Sequence, residues 1–281
     1  MITIELQGGL GNQLFQIFAL ISYALENRCQ FLLPYHKKDT HSAGGSERPT
    51  YWNTIFNKLK GFTTNSPNRC QVFYEKEFKF NELPIFNNKI PIKLYGYFQS
   101  PKYFEKQYDN IIKLLDIETK QLNIFQKDFF IQNTHTFVSL HFRIGDYKTP
   151  QHSHFHPIQT IDYYEKAIQY VTAHVDKPVN IMYFCEDEDV VQVNEIIKKL
   201  KKIFPSVSFE RGGAQLEDWE QMLLMSCCDH HIIANSSFSW WGAYFNTNNP
   251  VVCYPTKWFG PAFGHYNIND LFPSKWYKII C

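Results

Sequence analysis

Three features of the sequence predict an α/β fold made of two Rossmann-like halves. Between residues 136 and 254, five short apolar runs alternate with four segments of helical periodicity, the pattern of a parallel, doubly wound sheet. Residues 2–26 read as strand, glycine loop and helix, the opening unit of another such half. A chain of 281 residues is long enough to build two cores of ordinary size. The expected division is 1–132 and 133–281, and no internal repeat is visible.

In chain order, Ile2-Thr3-Ile4-Glu5-Leu6 alternates as a strand, and Gly8, Gly9 and Gly11 permit a tight turn before an apolar helix over about 12–26. Leu14 stands where the third small residue of Gly-x-Gly-x-x-Gly would fall, which argues against a nicotinamide cofactor. Gln30-Phe31-Leu32-Leu33 reads as a second strand and 36–49 as a polar loop. From 51 to 93 short aromatic runs are broken by Asn and Pro, and no order of elements can be assigned. A strand over 92–98, a helical turn over 100–104 and a helix over 106–132, apolar at Ile111, Leu114, Leu115, Leu122 and Phe125, close the first half.

The second half is the plainer one. Strands are expected at about 136–141, 179–184, 206–210, 230–234 and 250–254, and helices at about 160–174, 188–203, 216–227 and 237–246. In the second of these helices Val190, Val193, Ile196, Ile197, Leu200, Ile203 and Phe204 share a face, and Lys198, Lys199, Lys201 and Lys202 form a solvated one.

Composition narrows the function. A net charge of +1 with 20% charged residues leaves no basic excess to drive nucleic-acid binding, so small ligands and locally compensated anions are favoured. Peripheral contact with a membrane stays compatible with this balance. Aromatic residues reach 17%, enough to fill two cores and also to stack on the C–H faces of sugars. The seven cysteines lack metal-type spacing and several lie in apolar runs, as expected for reduced thiols of a cytoplasmic protein. No run of about 18 apolar residues and no secretion signal is present, so neither a transmembrane segment nor an anchor is expected.

The chemistry concentrates in His141-Phe142-Arg143-Ile144-Gly145-Asp146-Tyr147, where an apolar strand ends in a polar turn. Open α/β sheets bind ligands at that end of their strands, and an arginine there can grip phosphate oxygens in a bidentate way. An Arg143–Asp146 ion pair on an ordinary turn is the alternative. Ser236 and Ser237 fall where a strand gives way to a helix, so their hydroxyls and the first-turn amides suit an anion, and simple capping suits the same placement. Among His152, His154 and His156 a spacing of two in a loop is not that of a common zinc site. Glu217 and Asp218 open a helix, where they offset its dipole or serve the ligand site.

Three stretches together resemble glycosyltransferase family 11, the α-1,2-fucosyltransferases: Gly8-Gly9-Leu10-Gly11-Asn12-Gln13-Leu14-Phe15-Gln16, the His141–Tyr147 run, and Ile233-Ala234-Asn235-Ser236-Ser237-Phe238-Ser239-Trp240-Trp241-Gly242. Gly96-Tyr97-Phe98-Gln99-Ser100-Pro101-Lys102-Tyr103-Phe104 looks like a fourth, and the resemblance spans about residues 1–260. It implies a GT-B-like fold, two Rossmann-like domains facing a cleft, and a soluble form of the enzyme that uses cytosolic donor sugar. The implied reaction is inverting, metal-independent transfer of L-fucose from GDP-β-L-fucose to the 2-hydroxyl of an oligosaccharide acceptor ending in galactose.

On this resemblance Arg143 and the Ser236–Ser237 helix start balance the charge of the departing diphosphate, and Asp187, or its neighbour Glu186, accepts from guanine. His141 faces the nucleotide unless it is only a structural residue of its strand end, Phe238 stacks on the base, Gly9 and Gly11 approach the donor, and Asn12 orients the acceptor hydroxyl unless it only caps its helix. Asp146 is the candidate base unless it only caps its turn, and one of the three loop histidines is another. The family pattern His-x-Arg-Arg-Gly-Asp departs here at Ile144, although distant protein O-fucosyltransferases manage with one arginine. A non-catalytic GDP-sugar-binding or glycan-binding protein is therefore the alternative. A glycoside hydrolase would need two carboxylates about 5–9 Å apart, and the run Glu186–Asp189 more naturally opens a helix.

Overall fold

Short parallel strands separated by helices dominate the computed structural model, which describes residues 1–35, 38–39, 48–65, 70–86, 90–126 and 134–281. The chain divides into two compact units: Met1–Thr119 with Tyr266–Ser274, and Lys120–His265 with Lys275–Cys281.

In the first unit β1 (Ile2–Ile4) leads through a glycine loop to α1 (Leu10–Glu26). Strands β2 (Gln71–Tyr74) and β3 (Ile92–Tyr95) complete a parallel sheet in the order β1-β3-β2. Gly8 has φ +73°, and a side chain there would collide with Asn12, so only glycine suits the turn. The cap of α1 is Gly9 in extended conformation, whose carbonyl accepts from Asn12 N and Gln13 N. Asn12 lies inside the helix and is not its cap.

The strand expected at 30–33 reduces to a bridge between Phe31 and Ile2, beside a short pairing of Leu33–Pro34 with Thr63–Thr64. The helix expected over 106–132 is broken: α2 (Tyr108–Leu115) ends at Asp116, left-handed at φ +56°, and α3 (Ile117–Phe125) follows. Asp is one of the few residues that tolerate this conformation, and its N–H bonds back to the carbonyls of Ile112 and Lys113. The expected division after 132 differs from the observed one in two places: residues 266–274 belong to the first unit, and the second begins at Lys120 inside α3, where Gln121 donates to Ser226 Oγ at 2.8 Å and to Phe245 O at 3.4 Å. Residues 127–133, and most of the polar loop expected at 36–49, lie outside the described residues.

In the second unit the elements are β4 (Thr136–His141), α4 (Ile161–Thr172), β5 (Val179–Phe184), α5 (Val190–Ile203), β6 (Ser208–Arg211), α6 (Asp218–Ser226), β7 (His230–Ile232), α7 (Ser237–Tyr244), β8 (Val252–Pro255) and β9 (Tyr277–Ile279). All pair in parallel in the order β6-β5-β4-β7-β8-β9, the doubly wound arrangement expected. Val138, Leu140, Ile181 and Ile232 from the strands meet Tyr163 and Ile168 of α4 and Val193 and Leu200 of α5 in one core, and the four lysines of α5 are exposed. The sixth strand, β9, was not expected, because as an edge strand it exposes Tyr277 and Lys278 and carries no apolar run.

A buried polar chain fixes the middle of this sheet. Ser139 on β4 is directly opposite His231 on β7, with Ser139 Oγ 2.7 Å from His231 Nδ1. Asn246 Nδ2 is 2.9 Å from His231 Nε2 and 2.7 Å from Cys228 O. Burial pushes this imidazole down to about 3, so it is neutral: Nε2 accepts from Asn246, and the proton on Nδ1 goes to Ser139. Asn246→Ala leaves two buried acceptors unpaired and should lower stability by about 2–6 kcal/mol in urea denaturation, at about 1–3 kcal/mol for each. A loss under about 1 kcal/mol would show that the chain carries no such weight.

Candidate functional site

The winding of the second unit reverses between β4 and β7: the chain leaves β4 toward β5 and β6, and leaves β7 toward β8 and β9. Doubly wound sheets bind ligands at the carboxyl edge of such a switch point. Two of the three recurring motifs end there, because the register Leu140↔Ile232 sets His141–Tyr147 beside Ala234–Phe238.

Arg143 is held between acids. Its Nη2 is 2.5 Å from Asp146 Oδ1, its Nη1 pairs with Glu186 Oε1, and its guanidinium carbon lies 5.1 Å from the centre of the Tyr147 ring. The Tyr147 hydroxyl donates to Asn235 O at 3.2 Å, which ties this loop to the one that carries Ser236. The ion pair with Asp146 weighed in the sequence is therefore present, and Glu186, just past the carboxyl end of β5, is a second partner. The turn is braced from beneath by Asp189, fully buried, which accepts from Gly145 N at 2.6 Å and pairs with Lys148.

His141 is buried at the end of β4, its ring 5.6 Å from that of Phe238, and its Nδ1 has no hydrogen-bond partner among the described residues. Burial, helped by the charge of Arg143, pushes it down to about 3. Ser236 caps α7, its Oγ accepting from Phe238 N at 3.3 Å, and Ser237 follows as the first helical residue, half-buried. Capping by Ser236 is thus present, and it leaves the other amides of the first turn available.

Asp187 stands apart from this group. Its carboxylate is 86% exposed and pairs with Arg211 at the end of β6. Ile144 points into the core at 1% exposure, so the isoleucine is a packing residue. His156 stacks on Tyr147 at 4.8 Å and is pushed down to about 4 by burial, and His152 Nδ1 is 2.8 Å from Thr149 Oγ1. Glu217 begins α6, its N–H donating to Glu220 Oε2 at 3.1 Å and its own Oε2 accepting from Trp219 Nε1 at 2.7 Å.

The carboxyl edge of the first unit holds a second polar group. Gln16 Nε2 donates to Gly96 O at 3.1 Å, Gln16 Oε1 accepts from Gln7 N at 2.9 Å, and Gln99 Nε2 donates to Asn12 Oδ1 at 2.8 Å. Gly9 and Gly11 open α1 beside them. Glu75, just past β2, accepts from Tyr97 N and Phe98 N, and burial drives its carboxyl up to about 7 against those two bonds. Of this second group the sequence reading found Asn12, Gly9 and Gly11. The glutamines and Glu75 escaped it, although Gln13, Gln16 and Gln99 lie inside the motifs themselves.

The model of glycosyl transferase family 11 matches residues 1–279. The O-antigen biosynthesis glycosyltransferase WbnK of Escherichia coli is 29% identical over 298 residues, which cover 90% of this chain and 93% of WbnK. An alpha-1,2-colitosyltransferase of Escherichia coli is 26% identical over 275 residues, 92% of each protein. Among solved structures, a mutant of Arabidopsis thaliana FUT1 in complex with GDP matches with a TM-score of 0.50 at 11% identity, over 89% of this chain and 70% of that one. That likeness concerns the fold, and it agrees with the α/β, GT-B-like class expected from the sequence.

The buried imidazoles set a dependence of stability on acid. His141, His156 and His231 ionise near 6.5 when unfolded and near 3, 4 and 3 when folded, so between these values the unfolded chain binds protons that the native one refuses. Stability is full above 6.5 and falls as the pH drops, by at most about 1.4 kcal/mol per pH unit for each imidazole. Glu75 works the other way between 4.5 and 7, as a single group. Thermal melts should therefore move to lower temperature on acidification below 6.5, and His156→Phe should flatten the slope. A melting temperature that climbs on acidification would contradict the assignment.

Proposed function

The chain belongs to glycosyl transferase family 11, and from that premise we propose that it moves L-fucose from GDP-β-L-fucose, with inversion and without a metal ion, to the 2-hydroxyl of a galactose-terminated oligosaccharide. The observation that carries this reading is Arg143 at the β4–β7 switch point, beside a buried imidazole with an unused nitrogen and a capped helix start. A fixed cation and oriented amides are what a departing diphosphate needs as negative charge gathers on its β-phosphate.

Each side chain then has a task. Arg143 exchanges Glu186, whose side chain is 46% exposed, for the diphosphate, while Asp146 keeps the guanidinium in plane. Ser236, Ser237 and the free amides of α7 take the remaining phosphate oxygens. His141, neutral at working pH, spends its free Nδ1 on the donor, and Phe238, against it, stacks on the base. Asp187 leaves Arg211 to accept from guanine, and Gly9, Gly11 and Asn12 serve the reacting centre, Asn12 through the amide oxygen that Gln99 already fixes.

Incubation of the purified protein with GDP-fucose and a β-galactoside should release GDP and give an α-1,2-linked product, unaffected by EDTA. Arg143→Ala should lower turnover on the order of 10³-fold or more, by analogy with the arginines of phosphoryl transfer. Because one relative transfers colitose, a colitosyl donor belongs in the same array. No GDP release with any donor and acceptor would refute the transfer. A second reading, GDP-sugar binding without turnover, is favoured by the burial of Ile144, which leaves one guanidinium in the motif, and it predicts calorimetric GDP binding without release of product.

A further inference from the structure

Glu75 lies outside every motif and yet sits at the ligand-binding edge of the first unit's sheet, directly after β2. Its two oxygens differ. Oε2 accepts from Tyr97 N at 2.7 Å and Phe98 N at 2.8 Å, which fixes the plane of the carboxylate. Among the described residues Oε1 has the Tyr103 hydroxyl alone, at the long distance of 3.4 Å, and that hydroxyl also accepts from Asn81 N at 3.0 Å. Oε1 therefore keeps lone pairs for another donor. The residue is half-buried, neither sealed nor fully solvated.

The backbone around this carboxylate is shaped to it. Gly96 has φ +159° and a side chain there would collide with Glu75, and Phe98 is left-handed at φ +52°. For Phe98 that conformation is costly and marks a place where geometry is imposed, here the aiming of two successive N–H groups at one oxygen. The next residue, Gln99, holds Asn12, so one four-residue loop sets both the carboxylate and the amide. Beside it Phe78 lies nearly parallel to Tyr97, with ring centres 6.1 Å apart, and Tyr266 meets Phe78 edge-on at 5.1 Å. Rings, an amide and a carboxylate together make the composition of a sugar site.

We propose that Glu75 is the general base of the transfer, taking the proton of the acceptor hydroxyl while Phe78 and Tyr97 support the acceptor sugar. The inference rests on the fucosyl-transfer reading. The hydroxyl oxygen bonds to the anomeric carbon, the bond from that carbon to the β-phosphate oxygen breaks with its electrons leaving on GDP, and the proton passes to Oε1 and later to water. A base that titrates near neutrality suits this step, and burial brings the carboxyl to about 7. The titratable group in contact with it is Tyr103, which burial keeps protonated; Lys76, next in the chain, is exposed to solvent, Glu77 pairs with Lys79, and Lys102 with Asp270.

The test is steady-state kinetics of wild type, Glu75→Gln and Glu75→Asp with GDP-fucose and a β-galactoside, with GDP binding by calorimetry. Glu75→Gln should lose on the order of 10²–10⁴-fold in kcat with GDP affinity unchanged, and Glu75→Asp should recover part of it. Sodium azide, a nucleophile with no proton to lose, should restore GDP release to Glu75→Gln. A purely architectural Glu75 would instead raise the acceptor KM and leave azide without effect, which overturns the proposal. So does an active wild type whose Glu75→Gln form keeps more than about a tenth of kcat. The pH profile of the wild type decides the matter even where the variants fail to fold: kcat/KM must fall with unit slope as the pH drops below about 7, and a flat profile overturns the assignment. A wild type that never releases GDP sinks the proposed function and this inference together, whereas the other failures leave the function standing.

Discussion

Everything at the candidate site depends on the parallel pairing of Thr136–His141 with His230–Ile232. That pairing sets two motifs, about 90 residues apart in the chain, side by side at one edge of a sheet. A slip of one residue would turn every side chain of either strand to the opposite face. The Ser139–His231 hydrogen bond guards against it, because a buried imidazole that must find both Ser139 and Asn246 accepts only one register. A polar chain inside the core thus holds the geometry of the candidate site outside it.

The cations of the site so positioned already have anionic partners of their own. Arg143 pairs with both Asp146 and Glu186, one acid more than its charge needs, and Lys148 with Asp189. Under the proposed function an entering diphosphate replaces one acid with another anion, and the guanidinium need not be desolvated anew. Prepaid orientation of this kind is worth more than added charge, since the ring of Tyr147 and the carboxylate of Asp146 hold the fork in place beforehand.

Much of the second unit could be read from residues alone, and little of the first. Thr136–His141 and Val179–Phe184 matched their expected bounds because interior parallel strands are apolar on both faces and stop at polar turns. Gln71–Tyr74 could not be recognised, since three of its four residues are exposed, and Tyr277–Ile279 failed for the same reason. The break at Asp116 and the cap at Gly9 depend on single dihedral choices that periodicity does not encode. Arg143, His141 and Ser236 announced themselves through strand ends and helix starts. Glu75 could not, because what distinguishes it, two amides from residues more than twenty positions away and a half-buried setting, exists only once the chain has folded.

The acidic run Glu186-Asp187-Glu188-Asp189 looks uniform when read as letters, yet its members live in different surroundings. Three face solvent to varying degrees, and Asp189 is sealed beneath the Gly145 turn with Gly145 N and Lys148 as its partners. Sequence drift should therefore be uneven across four adjacent codons: Glu188 is free to wander among polar residues, while position 189 tolerates little beyond aspartate, which combines the short reach to that amide with the charge that Lys148 pairs with.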